Sequence, residues 1–318
     1  MMKGRREMVK YLIVLLDDAG TSFCHYDVPA VHRLIPIDVL KRGIGLALKE
    51  NLEVQFVYPD TELPDGYEEL IDEVDHIDIR PVTDKRKADV RVCESILQFA
   101  EIEEFDADIY ALRIPKGEFF RDWKCILPNL ERVKRLNVTF TDDVKFTDGD
   151  AQTYMMALDE MADELCRMYV RGVRPQFNAL TDRMMLTGMK NCGAGSDSIT
   201  LASDGKFYPC PAFYYAGCGS SGDVETGIDL ANPQLYRLDH APLCRRCDAY
   251  QCRRCIWLNR KYTNEICVPS HGQCIAAHVE RNASRRLLAM MKDAGVDMSV
   301  PDIPAISYLD PMDRIEIF

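Results

Sequence analysis

The sequence predicts an α/β fold, a parallel sheet or partial (β/α) barrel, followed by a cysteine-rich metal-binding domain. Short β-rich runs alternate with helical patterns over the first 147 residues, and nine of the thirteen cysteines fall between Cys192 and Cys274. Repeated β-α units bury parallel strands beneath helices, which sets the class of the first half.

The expected strands are YLIVLLDD (11–18), EVQFVYP (53–59), HIDIRPV (76–82), DIYALRIP (108–115) and LNVTFTD (136–142). Between them, 37–50 and 62–74 read as amphipathic helices, with Ile37, Leu40, Ile44, Ala47 and Leu48 marking one face of the first. A longer helix is expected from Ala151 to about Arg171, where Tyr154, Leu158, Met161, Leu165 and Met168 recur at four- and three-residue steps. Such a stripe is a core face, and it would dock this helix on the N-terminal sheet. Beyond Cys192 the texture turns to Gly, Ser, Asp, Cys and Tyr. Asp204-Gly205 signals a hairpin, because a tight turn needs a positive φ that Gly adopts freely. A helix from Gly272 to Ala294 closes this region, and the Pro-spaced tail from Val300 to Phe318 is expected to run over the surface. The domains expected are a β/α domain at 1–185, a metal-binding domain at 186–295 and a tail at 296–318.

Fifty-one acidic residues against thirty-nine basic give a net charge of -12, which argues against nucleic-acid binding through a broadly basic surface. The start, MMKGRREMVK then YLIVLL, imitates a signal peptide. The apolar run ends after six residues at Asp17 and Asp18, so it reads as a first buried strand. No stretch approaches the roughly 18 apolar residues of a membrane helix, and a cytoplasmic location without membrane contact is expected. In a reducing compartment a dense cysteine cluster binds metal rather than forming disulfides. Cys24, Cys93, Cys125 and Cys166 lie outside it, and three of these four are expected to pack as small hydrophobes.

Within the cluster the order is Cys192, twelve residues, Gly205, four residues, Cys210; then Cys218; then Cys244-x2-Cys247-x4-Cys252-x2-Cys255, Cys267 and Cys274. Two C-x2-C pairs within twelve residues direct four thiolates to one centre. Arg245, Arg246, Arg253 and Arg254 sit between them, either holding the ligands as thiolates or solvated on loop tips. His271 and His278 flank Cys274 as alternative ligands, with His278 read equally as a helix-surface residue. By spacing alone, zinc and iron-sulfur chemistry are equally served.

This arrangement resembles the SPASM domain, the auxiliary-cluster extension of radical-SAM peptide-modifying enzymes. Cys192, Gly205 and Cys210 match its first half, and Cys244 and Cys247 the start of its second. Cys252 and Cys255 each arrive one residue early, and Cys274 stands as the last ligand. The resemblance implies one or two [4Fe-4S] clusters. Cys244, Cys247, Cys252 and Cys274 would hold one, and Cys192, Cys210 and Cys255 would supply three ligands of the other, with Cys218 the candidate fourth ligand, an open iron site the alternative, and Cys267 surplus. Zn2+ is the alternative occupant. The phrases SFCHY, LIPIDVLK, LKENLEVQFVYPD, CIWLNRKYTNE, PSHGQC and ERNAS resemble the CXXX repeat peptide maturases over most of the chain.

A radical-SAM enzyme carries C-x3-C-x2-C after its first strand. Here that loop reads AGTSFCHYDVP with one cysteine, Cys24, so the first half looks like a degenerate radical-SAM barrel and S-adenosylmethionine is not expected. Cys24 lies where α/β folds place their sites and is the candidate catalytic residue, as nucleophile, metal ligand or thiol-exchange partner. Neighbours on an extended segment point to opposite faces, which separates it from His25. Asp17 and Asp18 read as a solvated strand end. The expected function is a SPASM-type iron-sulfur protein in maturation of a ribosomally made cysteine-containing peptide, binding the precursor and acting with a separate radical-SAM enzyme or as a diverged form of one. The alternatives are a zinc-stapled binding module without catalysis and a thiol enzyme using Cys24.

Overall fold

The computed structural model describes residues 9–142, 146–186, 190–237, 240–249 and 251–314, with only the backbone described at 190, 191, 253 and 314. The charged segment at 1–8, the Arg253 side chain and the last four tail residues, all weighed above, lie outside these.

The strands are β1 (Tyr11–Leu15), β2 (Glu53–Val57), β3 (His76–Pro81), β4 (Val90–Cys93), β5 (Ile109–Ile114), β6 (Arg135–Phe140) and β7 (Gln176–Phe177). Shorter ones follow: β8 (Lys190–Asn191), β9 (Ser198–Leu201), β10 (Phe207–Tyr208), β11 (Gly222–Asp223), β12 (Gly227–Ile228) and β13 (Arg253–Arg254). The helices are α1 (Ile37–Glu50), α2 (Tyr67–Ile71), α3 (Ile96–Ala100), α4 (Lys116–Asp122), α5 (Leu127–Leu130), α6 (Asp148–Val170), α7 (Thr181–Met184), α8 (Pro211–Tyr215), α9 (Ile256–Thr263) and α10 (His271–Asp293). All five expected strands form. β4 is the addition; its sequence VRVC alternates charge with apolar residues too briefly to stand out.

The chain forms two compact units, Met1–Val92 with Gly193–Arg237, and Cys93–Cys192 with Leu238–Phe318. They interleave along the sequence, whereas the expected domains are consecutive.

In the first unit the strand order is β10-β9-β1-β2-β3-β4, parallel except for the antiparallel β9–β10 hairpin. The strand expected to open a separate domain therefore pairs with β1, in the register Tyr11 to Ser198. Leu12, Val14, Phe56, Ile199 and Leu201 form its core with Leu40, Ile44 and Ala47 of α1. The stripe on α1 is narrower than expected: Gly43 joins it, close against Leu201, while Ile37 and Leu48 are exposed. Asn51 closes α1 in the left-handed conformation, which a short polar side chain tolerates. The hairpin turn runs from Ala202 to Gly205, with the Gly205 N–H donating to the Ala202 carbonyl over 3.0 Å and Gly205 at φ 80°. It is a longer turn than a two-residue one, and the glycine supplies its left-handed exit. At the β3 end, Arg80 is buried over the Tyr58 ring at 3.3 Å and pairs with Asp78 and Asp84. Burial opposes ionisation of Asp84, but hydrogen bonds from Arg86 and Arg80 prevail and hold its carboxyl at about 2.

The second unit contains β5-β6-β7, parallel throughout. Thr147 and Asp150 form a capping box that starts α6, and Ser270 and Gln273 do the same for α10. All five stripe residues of α6 are buried. Tyr154 packs on Phe140 of β6, and its hydroxyl donates to Glu280 of α10 over 3.0 Å. The stripe thus faces a second helix as well as a strand. The tail departs from expectation: Ile303, Tyr308 and Asp310 are buried.

Leu165→Ala, at a fully buried position, should cost about 2–5 kcal/mol in denaturant unfolding. Because the folded pKa of Asp84 is lowered, its contribution is present above pH about 4 and is lost as pH falls toward 2. Asp84→Asn should therefore destabilise the protein by about 2 kcal/mol at neutral pH and flatten its acid unfolding, read by urea titration at several pH values.

Candidate metal centre

Four of the predicted ligands converge in the second unit around one buried side chain, Arg254. Cys244 opens a single helical turn, and the Cys247 N–H donates to its carbonyl over 3.0 Å, which brings the two thiols of the first C-x2-C pair to one side. Cys252 precedes β13, whose Arg253 and Arg254 pair in parallel with Lys190 and Asn191 of β8. Cys274 sits in the first turn of α10. From there His278 and Arg281, four and seven residues on, occupy the same helix face, and both are buried.

Arg254 is 5% exposed. Its guanidinium donates to the Gln273 carbonyl over 3.2 Å and to Cys274 Sγ over 3.5 Å, while its Nε has no partner. Among the described residues no carboxylate stands within ion-pair distance of it. Burial opposes the charge, yet Cys252, Cys274, Cys244 and Cys247 hold the guanidinium firmly protonated. The thiols respond in the opposite sense. Burial pushes Cys244 up to about 11 and Cys274 up to about 12, against the pull of Arg254. Of the four interleaved arginines, then, Arg254 turns inward, while Arg245 and Arg246 are exposed as loop-tip residues.

A second buried cation lies nearby. Arg183 of α7 is ion-paired with Glu280, and its charge is further favoured by Cys252; its Nε and Nη1 lack partners. His278 is held near pH 4, chiefly by burial and then by Arg254 and Arg281 against its bond to the chain. Its Nδ1 faces the Tyr308 carbonyl at 3.1 Å and so carries the proton. That leaves the Nε2 lone pair toward Cys247 Sγ, 3.7 Å away. The Tyr308 hydroxyl lies 3.5 Å from the same sulfur and accepts the Asp248 N–H at 3.0 Å. The tail therefore contributes directly to this site, which its proline spacing did not signal. His271 points elsewhere, pairing with Asp310 at 2.6 Å.

Among the described residues no group of three His, Cys, Asp or Glu side chains is arranged to hold a single metal ion. The four sulfurs stand instead around a guanidinium. Thiols raised by burial do not balance that charge, whereas thiolates of an anionic centre would. The guanidinium already donates to the Cys274 sulfur, and a ligated thiolate accepts such a bond more strongly than a thiol. The donor set fits a tetrathiolate-ligated group.

The remaining predicted ligands fall into two pairs. β8 and β13 each end at the residue before a cysteine, so Cys192 and Cys255 leave adjacent strands at the same level. In the first unit, Cys210 caps the start of α8, and the chain turns back through Gly217 so that the Cys218 N–H donates to the Phe213 carbonyl over 3.1 Å. Both Cys210 and Cys218 act on Tyr236, whose hydroxyl is raised by burial and then by these two sulfurs. Cys267 packs against Cys244 and Ala241.

Cys24 is half-buried in the segment after β1. The end of that strand is organised by other residues. Asp17 is buried, accepts the Ala19 N–H at 2.7 Å and meets His32 Nδ1 at 3.1 Å. Asp18 accepts from the Tyr214 hydroxyl at 2.6 Å and from Ser203, and its carbonyl accepts from the Tyr215 hydroxyl at 3.0 Å. Tyr26 stacks on Tyr215, ring centroids 5.3 Å apart. These aspartates, Asp17 buried and Asp18 half-buried, form a hydrogen-bonded network rather than a solvated strand end; the two donor tyrosines lie 196 and 197 residues away in sequence, beyond any local pattern.

No protein-family profile matches the chain, and no curated protein matches it. Solved structures do. A histidine-tagged anSMEcpe with bound AdoMet superimposes with a TM-score of 0.64 at 11% identity, covering 90% of this chain and 100% of that one. The native anSMEcpe with bound AdoMet and Cp18Cys peptide gives 0.63 at 12% identity, with the same coverage. A third, native anSMEcpe with bound AdoMet, gives 0.59 at 11%, covering 89% of this chain and 99% of that one. At this identity the likeness establishes the fold alone, an α/β architecture that this chain shares with those structures over 89–90% of its length. Among the described residues no helix is long and apolar enough to cross a membrane.

Ser203→Ala and Tyr214→Phe each remove one donor to Asp18. Each should lower stability by about 1–3 kcal/mol in urea unfolding, and the double variant should lose less than the sum because both act on one carboxylate.

Proposed function

We propose that this chain is a SPASM-type iron-sulfur protein that binds a ribosomally made, cysteine-containing precursor peptide. It acts in the maturation of that peptide with a separate radical-SAM enzyme or as a diverged form of one. The observation that carries this reading is the convergence of Cys244, Cys247, Cys252 and Cys274 on buried Arg254. A fold shared with a structure that holds both AdoMet and a peptide supports the peptide as ligand.

In this reading those four cysteines hold one [4Fe-4S] cluster. The SPASM resemblance implies Cys192, Cys210 and Cys255 as ligands of a second, with the fourth position taken by Cys218, which shares the neighbour Tyr236 with Cys210, or left as an open iron site. Bound clusters supply one-electron transfer and fix the fold around them. The chain's own residues do the rest: Arg254 donates toward the sulfurs, neutral His278 orients against Cys247, and Tyr308 fastens the tail over that ligand. The loop after β1 holds one thiol, Cys24, so reductive cleavage of S-adenosylmethionine is assigned to a partner.

Anaerobically purified protein should contain iron and acid-labile sulfide and show a visible cluster absorption. Zinc without iron would refute the redox part. Cys247→Ser combined with Cys252→Ser should lower iron by about four atoms per chain, the content of one cubane. Cys24→Ser should leave iron content and precursor binding, followed by calorimetry, at the wild-type level.

A further inference from the structure

We propose that Arg254 is the internal counter-charge of the centre held by Cys244, Cys247, Cys252 and Cys274, and that it sets both the retention of that centre and its reduction potential. This rests on the tetrathiolate reading above.

Of the buried guanidinium groups near these sulfurs, Arg183 has a carboxylate partner in Glu280, whereas Arg254 has a carbonyl, one sulfur contact and an unpartnered Nε. An isolated cation in an apolar interior costs several kcal/mol even after relaxation. Natural chains keep such a group where an anion is present in the working state. Four thiolates around a [4Fe-4S] core in its ordinary oxidised state leave a net charge of about −2, and one buried arginine offsets half of it. Asp310, Glu280 and Asp248 are carboxylates near this group of residues. Asp310 is paired with His271, Glu280 with Arg183, and Asp248 accepts from the Tyr308 hydroxyl at 3.3 Å; among the described residues none stands within ion-pair distance of Arg254.

The placement of Arg254 is enforced by the backbone. Arg254 lies on β13, in register with Asn191 of β8, between ligand Cys252 and Cys255. A guanidinium there presents its planar N–H fork to the sulfur of Cys274 on α10. Adding an electron makes the centre more negative, so a fixed positive charge favours the reduced state and raises the potential. Donors to ligand sulfur act in the same direction.

The test compares wild type, Arg254→Gln and Arg254→Lys as full-length, anaerobically reconstituted proteins. Iron and zinc content, the rate of iron loss to an excess of chelator and the midpoint potential of the cluster would be measured. Arg254→Gln should release iron about 10- to 100-fold faster than wild type and show a more negative midpoint potential. Arg254→Lys, which keeps the charge but not the planar fork, should restore the potential toward wild type. A wild-type protein that takes up neither iron nor zinc would overturn the tetrathiolate reading and this proposal with it. Metal-loaded wild type with an Arg254→Gln variant of equal release rate and unchanged potential would overturn the role of Arg254 alone. So would equal loss of iron by both variants with unchanged potential in the clusters that remain, since that pattern marks a packing role.

Discussion

Burying a full positive charge among sulfur atoms is the constraint on which the second unit turns. Arg254 is almost wholly withdrawn from solvent, and the groups that tolerate it are drawn from three separated stretches: the turn at Cys244 and Cys247, the strand at Cys252, and the first turn of α10 at Cys274. Each is fixed by ordinary local chemistry. A capping box starts α10, a short parallel pair anchors β13, and a single helical turn folds the C-x2-C segment. None of these local devices is costly. What is costly is the charge they enclose, and its neighbours are arranged accordingly: Arg183 is matched by Glu280, and His278 stays neutral against Tyr308.

The first unit solves a different problem at the carboxyl end of β1. Two consecutive aspartates leave the strand, and each is enclosed by donors. Ala19 and His32 serve Asp17; Ser203, Tyr214 and Tyr215 serve Asp18. Stacking of Tyr26 on Tyr215 fastens the Cys24 segment to the same place. Parallel pairing of β1 with β9 makes this possible, because it sets the Ala202–Gly205 turn beside the end of β1. An end of β1 filled in this way by tyrosine and carboxylate hydrogen bonds is consistent with a loop that carries a single thiol.

Much of this was legible in the sequence. α1 has the bounds that its periodicity predicts, α6 and α10 start and stop within a few residues of expectation, and the stripe on α6 is buried throughout. These features depend on neighbours a few residues apart, the range over which helical and strand periods act. The grouping of Cys244, Cys247 and Cys252 is local for the same reason, since so short a length of chain cannot carry them far apart. By contrast, the tail was read as superficial because prolines mark irregular backbone, and irregular backbone says nothing about burial. Tyr308 and Asp310 are enclosed because α10 and the turn at Asp248 offer partners for them.

The sequence by itself determined the α/β alternation, the positions of the long helices and the presence of a thiol-dense segment with metal-ligand spacing, all of which are written in short-range periodicity and residue type. Only the tertiary structure decided that the strand after Cys192 joins β1, that Asp17 is buried and Asp18 tied to Ser203, Tyr214 and Tyr215, and that Arg254 turns toward the sulfurs while Arg245 and Arg246 stay exposed. Arg245, Arg246 and Arg254 are identical in type and close in sequence. The strand pairing of β13 and the position of Cys274 on α10 draw the Arg254 side chain inward, where a sulfur 20 positions along the chain meets it. That choice is a long-range one, made by elements that no window along the chain contains.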